Sequence, residues 1–122
     1  MAKILIADDE QVVVEMLVPW LKKAGHYEVA VAIDGEECLN SVRTEKPDLI
    51  LLDIMMPKIN GLDIIARLKA DAATRSIPII VSTAGTALDS REKIAASGAE
   101  DYILKPFDAK VLLDKIAALL GK

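Results

Sequence analysis

The sequence predicts an α/β fold, a doubly wound parallel sheet of five strands with helices on both faces. Two observations support this prediction. Short apolar runs alternate five times with longer amphipathic segments along the 122 residues, which is the pattern of repeated strand–helix units. One run, at positions 49–52, holds four consecutive apolar residues, as strands do when a parallel sheet is covered on both faces. Right-handed crossovers then distribute the helices over the two faces.

The first strand is predicted at residues 3–8, where acids stop an apolar run. The first helix is predicted at residues 10–24, and Gly25 is expected to end it in the left-handed conformation. Pro19 lies inside this helix and should bend it in the preceding turn, because proline removes a backbone hydrogen bond. The second strand follows at residues 27–32. The first helix, at residues 10–24, is inferred from apolar residues that share one face: Val13, Leu17, Trp20, Leu21 and Ala24.

Capping residues indicate where the later helices begin and end. Asp34 is expected to cap the second helix, with Glu37 three residues later as its partner in a capping box. Gly98 is expected to close the fourth helix, and Asp108 to cap the fifth. The other predicted elements are strands at 48–53, 79–83 and 101–104, and helices at 61–70, 89–97 and 108–120.

Composition limits the classes of function. The length fits one domain spanning residues 1–122. The net charge of −4, from 15 basic and 19 acidic residues, argues against a general affinity for nucleic acid, which needs clustered positive charge. A single cysteine, Cys38, excludes an internal disulfide and favours a reducing compartment. No secretory signal or membrane span is recognised, so we expect a soluble, cytoplasmic protein with no membrane partner.

Chemistry is expected at the carboxyl ends of the strands, where open parallel sheets form their sites. Asp8 and Asp9 end the first strand, Asp53 ends the third, Thr83 the fourth, and Lys105 follows the fifth. Three carboxylates brought together repel one another unless a cation offsets their charge. Magnesium prefers oxygen ligands and uses one or two carboxylates together with phosphate oxygens.

A carboxylate beside such a cation can attack phosphorus and form an aspartyl phosphate, and it needs no general base at neutral pH. Lys105 and the Thr83 hydroxyl would then offset the charge of the phosphoryl oxygens. Ser82 is a competing hydroxyl, but adjacent strand residues face opposite ways, so one of the two is excluded.

Four short motifs lie in order along the chain: Asp8-Asp9-Glu10; Asp53-Ile54-Met55-Met56-Pro57 with Gly61 behind it; Thr83-Ala84; and Lys105-Pro106-Phe107. Positions 9, 53, 83 and 105 of these motifs are separated by 44, 30 and 22 residues. With these motifs and spacings the sequence resembles the receiver domains of two-component response regulators, and the resemblance covers the whole chain.

The resemblance implies a role for each matching residue. Asp53 matches the phosphoacceptor. Asp8 and Asp9 match the acidic pair that holds Mg²⁺ (or Mn²⁺), with Asp9 as the more direct ligand. Met55 matches the position whose backbone carbonyl completes the metal shell, and Lys105 matches the lysine that pairs with the phosphoryl group.

Two further residues match the family's switch. Thr83 corresponds to the switching hydroxyl, and Tyr102 to the aromatic residue that turns inward when that hydroxyl moves, although ordinary packing also explains a tyrosine there. Met55 and Gly85 match positions that tune phosphoryl lifetime, and neither offers a side chain that could orient an attacking water, which favours slow to moderate intrinsic dephosphorylation. The bond from Lys105 to Pro106 is often cis in the family.

The family also implies a fold and partners. The fold is flavodoxin-like, (βα)5, with strand order 2-1-3-4-5. The phosphoryl donor would be a sensor histidine kinase or a histidine phosphotransfer protein of a phosphorelay. The output would be an unknown downstream protein that reads the face formed by the fourth helix, fifth strand and fifth helix. The domain would catalyse only its own phosphotransfer and dephosphorylation, and would not be an enzyme in the usual sense.

Other functions remain open from the sequence alone. An aspartyl phosphohydrolase needs a second acid two residues after its nucleophile, and Met55 stands there. A nucleotide-binding protein would need a G-x-x-x-x-G-K-[ST] loop after the first strand, which is not found. A receiver used as a scaffold without phosphorylation is disfavoured by the intact set of acids and lysine.

Overall fold

The computed structural model describes residues 2–56, 58–84, 90–105 and 107–121. In these ranges strands and helices alternate, which confirms the predicted α/β class. The elements are β1 (Lys3–Ala7), α1 (Gln11–Ala24), β2 (Glu28–Ala32), α2 (Gly35–Glu45), β3 (Leu49–Asp53), α3 (Gly61–Ala70), β4 (Ile79–Ala84), α4 (Ser90–Ser97), β5 (Asp101–Lys105) and α5 (Ala109–Leu120).

The described strands form one parallel sheet in the order β2-β1-β3-β4-β5. This is the flavodoxin-like order that the resemblance implies. β3 lies in the middle of the sheet, and all of its residues are buried, as its continuous apolar run predicts. The carboxyl ends of β1, β3, β4 and β5 therefore lie side by side at one edge.

Different helices cover the two faces of the sheet. Ile4, Leu51 and Ile80 belong to a core with residues of α1 and α5, and we call this side the α1–α5 face. Ile50 and Val81 belong to a second core with residues of α2, α3 and α4, which we call the α2–α4 face. Because strand residues alternate between faces, each residue at the sheet edge can be assigned to one of them.

Three predicted helix boundaries are confirmed. The Asp34 carboxylate accepts a hydrogen bond of 2.8 Å from the Glu37 N–H. The Asp108 carboxylate accepts one of 2.8 Å from the Lys110 N–H. Gly98 follows α4 with a φ of +96°, in the left-handed region. Residue 89, the predicted first residue of this helix, lies outside the described ranges.

The predicted left-handed ending of α1 at Gly25 is wrong. Gly25 has a φ of −100°, and His26 instead has a φ of +57°. A Cβ atom on Gly25 would lie 2.5 Å from the Tyr27 ring, so close packing explains the glycine. Pro19 lies within α1, and the bend we expect there stays a prediction.

The strand ends differ slightly from the predicted ones. β4 and β5 each extend one residue further than expected, because Ala84 pairs with Lys105 in the ladder between them. β1 ends at Ala7, although the Asp8 N–H still donates to the Ala32 carbonyl at 3.0 Å. Lys105 thus belongs to the sheet itself.

Candidate functional site

The Lys105 ammonium group lies among three carboxylates at the carboxyl edge of the sheet. Its Nζ is 3.0 Å from Asp8 Oδ2, 2.6 Å from Glu10 Oε1 and 3.2 Å from Asp53 Oδ2. The side chains of Asp8 and Asp53 are buried, and that of Lys105 is 14% exposed. The structure therefore brings together three of the residues that the strand-end argument expects to meet.

Alternation along the strands explains why these side chains meet. Asp8 continues the series of Ile4 and Ile6, and Asp53 continues that of Leu49 and Leu51, so both lie on the α1–α5 face. Lys105 lies on the same face because Ile103 does. β4 separates β5 from β3, so the lysine side chain must cross β4 to reach Asp53.

Glu10 belongs to this cluster, although the sequence argument assigned it no role. Its backbone N–H donates to Asp8 Oδ1 at 2.8 Å, a local turn that brings residue 10 back over the sheet edge. Glu10 occupies the N-cap position of α1 without capping it, and its carboxylate contacts Lys105 instead. An acid directly after the Asp8-Asp9 pair was the available signal.

The carboxylates of Asp8, Glu10 and Asp53 could hold a metal ion. They offer oxygen atoms that all lie within 4.8 Å of one another. The Lys105 ammonium among them shows that this position attracts positive charge. Oxygen-only donors of this kind suit a hard divalent cation.

Burial and neighbouring charges affect the charged forms of Asp8 and Lys105 differently. Burial raises the pKa of Asp8, and the hydrogen bonds from the Glu10 N–H and Lys105 only partly oppose this effect. Burial also acts to lower the pKa of Lys105, but hydrogen bonds to Glu10 and Asp8 and the charge of Asp53 outweigh it, so the pKa is raised. The lysine is thus held charged, whereas the Asp8 carboxylate is destabilised.

Asp9 and Met55 lie beside the cluster. Asp9 is exposed and lines a cleft of about 530 Å³ together with residues of α1 and Asp34. The Met55 N–H donates to Asp53 Oδ1 at 2.9 Å, while the Met55 side chain is 74% exposed. The expected metal-ligand roles of Asp9 and of the Met55 carbonyl stay predictions.

Two buried hydroxyls follow one another on β4. Ser82 and Thr83 are almost fully buried, and neither hydroxyl has a hydrogen-bond partner among the described residues. Thr83 lies on the α2–α4 face by alternation with Val81, and Tyr102 packs against the same core. Ser82 lies on the opposite face. Gly85 and Pro106, which the resemblance associates with phosphoryl lifetime and a cis bond, lie outside the described residues.

A family model described as the response regulator receiver domain matches residues 4–117. The chain belongs to this family. The receiver domain is 41% identical to the DNA-binding response regulator MtrA of Mycobacterium tuberculosis over 122 residues, which cover 98% of this chain and 51% of that relative. It therefore spans about half the length of the curated relatives it matches.

Solved receiver-domain structures share the fold. The chemotaxis response regulator CheY4 of Vibrio cholerae has a TM-score of 0.89 and 30% identity, covering 98% of each chain. The receiver domain of a sensor histidine kinase from Pseudomonas aeruginosa has a TM-score of 0.89 and 28% identity, covering 99% of this chain and 98% of that one. That structure contains a magnesium ion coordinated in its active-site cleft.

Receiver domains are signalling components of two-component systems. None of the helices in the described ranges has the length and apolar character needed to cross a bilayer.

Proposed function

We propose that this receiver domain accepts a phosphoryl group on Asp53 from a sensor histidine kinase or a histidine phosphotransfer protein. The observation that supports this best is the convergence of the Asp8, Glu10 and Asp53 carboxylates on the Lys105 ammonium group. One ammonium group does not balance three carboxylates, so this edge of the sheet is suited to a further cation, which together with Lys105 would offset the negative charge of an arriving phosphoryl group.

The transfer step needs a well-oriented nucleophile. The Met55 N–H holds one oxygen of Asp53, and Lys105 contacts the other. A carboxylate oxygen attacks phosphorus and forms a new P–O bond. The P–N bond to the donor histidine breaks, and its electron pair leaves with the imidazole nitrogen. Catalysis of this kind depends mainly on positioning and electrostatic stabilisation.

Asp8, Asp9, Asp53 and the Met55 carbonyl are the groups proposed to hold Mg²⁺ (or Mn²⁺), and Glu10 adds negative charge beside them. When bound, such a cation offsets the charge of the carboxylates and of the phosphoryl oxygens. The magnesium ion in the Pseudomonas aeruginosa receiver domain supports this choice of metal.

Lys105 has to change partners during the reaction. In the described state its ammonium group is shared among three carboxylates. A phosphoryl group on Asp53 brings negatively charged oxygens to within reach of the same flexible side chain. We propose that Lys105 then turns to a phosphoryl oxygen, which removes it from at least one carboxylate.

Thr83 and Tyr102 are proposed as the switch. They lie on the same face of neighbouring strands, and Tyr102 pairs with Val81, two residues before Thr83. A Thr83 hydroxyl that moves toward a phosphoryl oxygen leaves space beside Tyr102, which can then turn inward. A local charge change of this kind can bias a two-state surface formed by α4, β5 and α5.

The output is proposed to be a protein partner. The curated relatives include DNA-binding regulators, and this chain spans about half of their length. DNA binding would therefore belong to a segment that is not part of this domain, whose net charge is −4. We propose a cytoplasmic location as part of this signalling role.

The test is an intact-mass measurement after incubation with acetyl phosphate and Mg²⁺. We expect one phosphate adduct per chain, which disappears with EDTA and in the Asp53→Asn variant. Asp48→Asn is the matched control, because Asp48 is an exposed acid whose carboxylate bonds the Lys3 N–H far from the cluster. Continuous hydrolysis of phosphate esters without an adduct would contradict the proposal and favour a phosphohydrolase.

A further inference from the structure

The Ser82 hydroxyl is a buried polar group that the proposed function leaves unexplained. Its side chain is 1% exposed, and its Oγ has no hydrogen-bond partner among the described residues. Buried hydroxyls are nearly always hydrogen-bonded, because a lost hydrogen bond to water is destabilising unless it is replaced. An unpartnered hydroxyl beside a reactive carboxylate suggests that its acceptor is present in another state of the protein.

The sheet register places Ser82 directly beside Asp53. The two residues are partners in the parallel ladder between β3 and β4. Alternation puts both on the α1–α5 face, Ser82 with Ile80 and Asp53 with Leu51. Adjacent strands lie about 4.8 Å apart, so a rotation of the Ser82 side chain can direct its hydroxyl toward the Asp53 carboxyl group.

Lys105 passes over the same position. Its strand, β5, is the other neighbour of β4, and its ammonium group reaches Asp53 at 3.2 Å. The lysine side chain therefore crosses β4 on the face that carries Ser82. A small side chain at residue 82 leaves room for this crossing, but an alanine would do so equally well. Space alone does not account for the hydroxyl.

We infer that Ser82 is a positioning residue for the phosphoacceptor: its hydroxyl donates a hydrogen bond to the Asp53 carboxyl group when that group carries a phosphoryl group. This inference rests on the proposed function. In the described state the two oxygens of Asp53 accept from the Met55 N–H and from Lys105. Once Lys105 turns to the phosphoryl group, the carboxyl oxygen it leaves needs a donor, and Ser82 is the neighbouring buried one.

This assignment gives each of the two hydroxyls a separate acceptor. Thr83 faces the α2–α4 side and is proposed to reach a phosphoryl oxygen, whereas Ser82 faces the side of the Asp53 carboxyl group. Because Ser82 and Thr83 face opposite ways, they do not compete for one acceptor, and neither hydroxyl has to be excluded.

The test compares four proteins: the wild type, Ser82→Ala, Ser82→Thr and Ser82→Val. Threonine and valine have nearly the same shape, so they differ mainly in the hydroxyl. The probe is beryllofluoride with Mg²⁺, which binds a carboxylate as a phosphoryl mimic, and its dissociation constant is measured by calorimetry. We expect binding weakened about two- to tenfold in the alanine and valine variants, the effect of one neutral hydrogen bond, and rescued in threonine.

A thermal melt of the free proteins adds an independent readout. Ser82→Ala should melt at the same or a higher temperature than the wild type, because it removes an unpartnered buried hydroxyl. A purely structural role for Ser82 predicts a lower melting temperature and no change in beryllofluoride affinity.

Equal beryllofluoride affinities for the threonine and valine variants, or for alanine and the wild type, would overturn the inference. If the wild type still takes up phosphate on Asp53 in the intact-mass assay, the proposed function survives that result. If the wild type binds neither phosphate nor beryllofluoride, the proposed function and this inference both fail.

Discussion

Lys69 and Lys105 have side chains that are buried to a similar extent, but they differ in the number of carboxylates around them. Their side chains are 16% and 14% exposed. Lys69 Nζ bonds the Glu100 carboxylate at 2.8 Å and the carbonyls of Arg75 and Ile77 at 3.1 and 3.0 Å. Lys105 instead contacts three carboxylates. One lysine is balanced by one acid, and the other leaves two negative charges in excess.

The difference separates a structural site from a functional one. The Lys69–Glu100 pair lies near the amino ends of the strands, where Glu100 also accepts from the Ile79 N–H at 2.8 Å and so ties α3 to β4. The charges of Lys69 and Glu100 neutralise each other, so this pair has no excess charge that would attract a further ion. At the carboxyl edge the excess of acids destabilises the resting cluster and attracts a cation.

Substitution of each lysine should give the largest difference between the two sites in the free energy of unfolding and in its response to Mg²⁺. Lys105→Met should lower the free energy of unfolding by about 3 kcal/mol in metal-free buffer, because it leaves carboxylates without their cation. Saturating Mg²⁺ should restore at least half of that loss. Lys69→Met should also be destabilising, but Mg²⁺ should not restore it. Urea denaturation with EDTA and with Mg²⁺ measures both variants, and an equal response to Mg²⁺ would remove the distinction between the two sites.

Substitution of one acid should change the free energy of unfolding in the opposite direction. Asp8→Asn relieves part of the repulsion around Asp53 and should raise the free energy of unfolding by about 1–2 kcal/mol at neutral pH without metal. The gain is limited because the variant also weakens a contact with Lys105. A destabilised Asp8→Asn protein would mean that the acids are balanced after all.

The same variant has a distinct pH dependence. Burial raises the pKa of Asp8 above its ordinary value in the folded state, so the folded chain binds more protons than the unfolded chain in that range. The contribution of Asp8 to stability therefore falls as pH rises from 3.8 through the folded pKa, and Asp8→Asn abolishes this trend.

Asp34 is the matched control for this measurement. The Glu37 N–H lowers the pKa of Asp34, so its stabilising contribution is present at higher pH and is lost as pH falls. The wild-type minus variant difference should therefore slope in opposite directions for Asp8→Asn and Asp34→Asn. Parallel slopes in urea denaturation between pH 3 and pH 7, measured without metal, would contradict the assignment.

Substitution of Glu10 should have the smallest of these effects, a change in the affinity for Mg²⁺. Glu10→Gln removes negative charge beside the cluster and leaves Lys105 more strongly engaged with Asp8 and Asp53, so both consequences weaken Mg²⁺ binding. We expect a dissociation constant raised about threefold, less than 1 kcal/mol, as befits an exposed carboxylate. Calorimetric titration with Glu15→Gln as a control on the same helix would show whether Glu10 acts through the cluster. An unchanged constant would show that the Glu10 carboxylate does not contribute to Mg²⁺ binding.

The sequence predicted most of the fold because its signals are local in the chain. The apolar run at 49–52 and the caps at Asp34 and Asp108 depend only on neighbouring residues, and the structure has them as expected. Gly25 was misinterpreted because its small size serves a contact with the Tyr27 ring. This contact depends on where the turn places the ring, and the sequence pattern does not show that.

In the candidate site, too, some residues could be predicted from the sequence and others could not. Asp8, Asp53 and Lys105 could be expected to meet, since each follows an apolar strand in a parallel sheet. Glu10 could not, because it reaches the cluster through a turn closed by its own N–H and Asp8 Oδ1. The Ser82 hydroxyl was set aside by alternation, and its neighbour across the ladder, Asp53, becomes apparent only from the register.

Phosphorylation at Asp53 can be tested by locating the phosphoryl group chemically. Borohydride reduces an aspartyl phosphate to homoserine, so the residue that carried the phosphoryl group can be identified by peptide sequencing after treatment with acetyl phosphate and Mg²⁺. We expect homoserine at position 53 in the Mg²⁺ sample and none with EDTA. Homoserine at another aspartate, or at no position while the protein is fully folded, would contradict it.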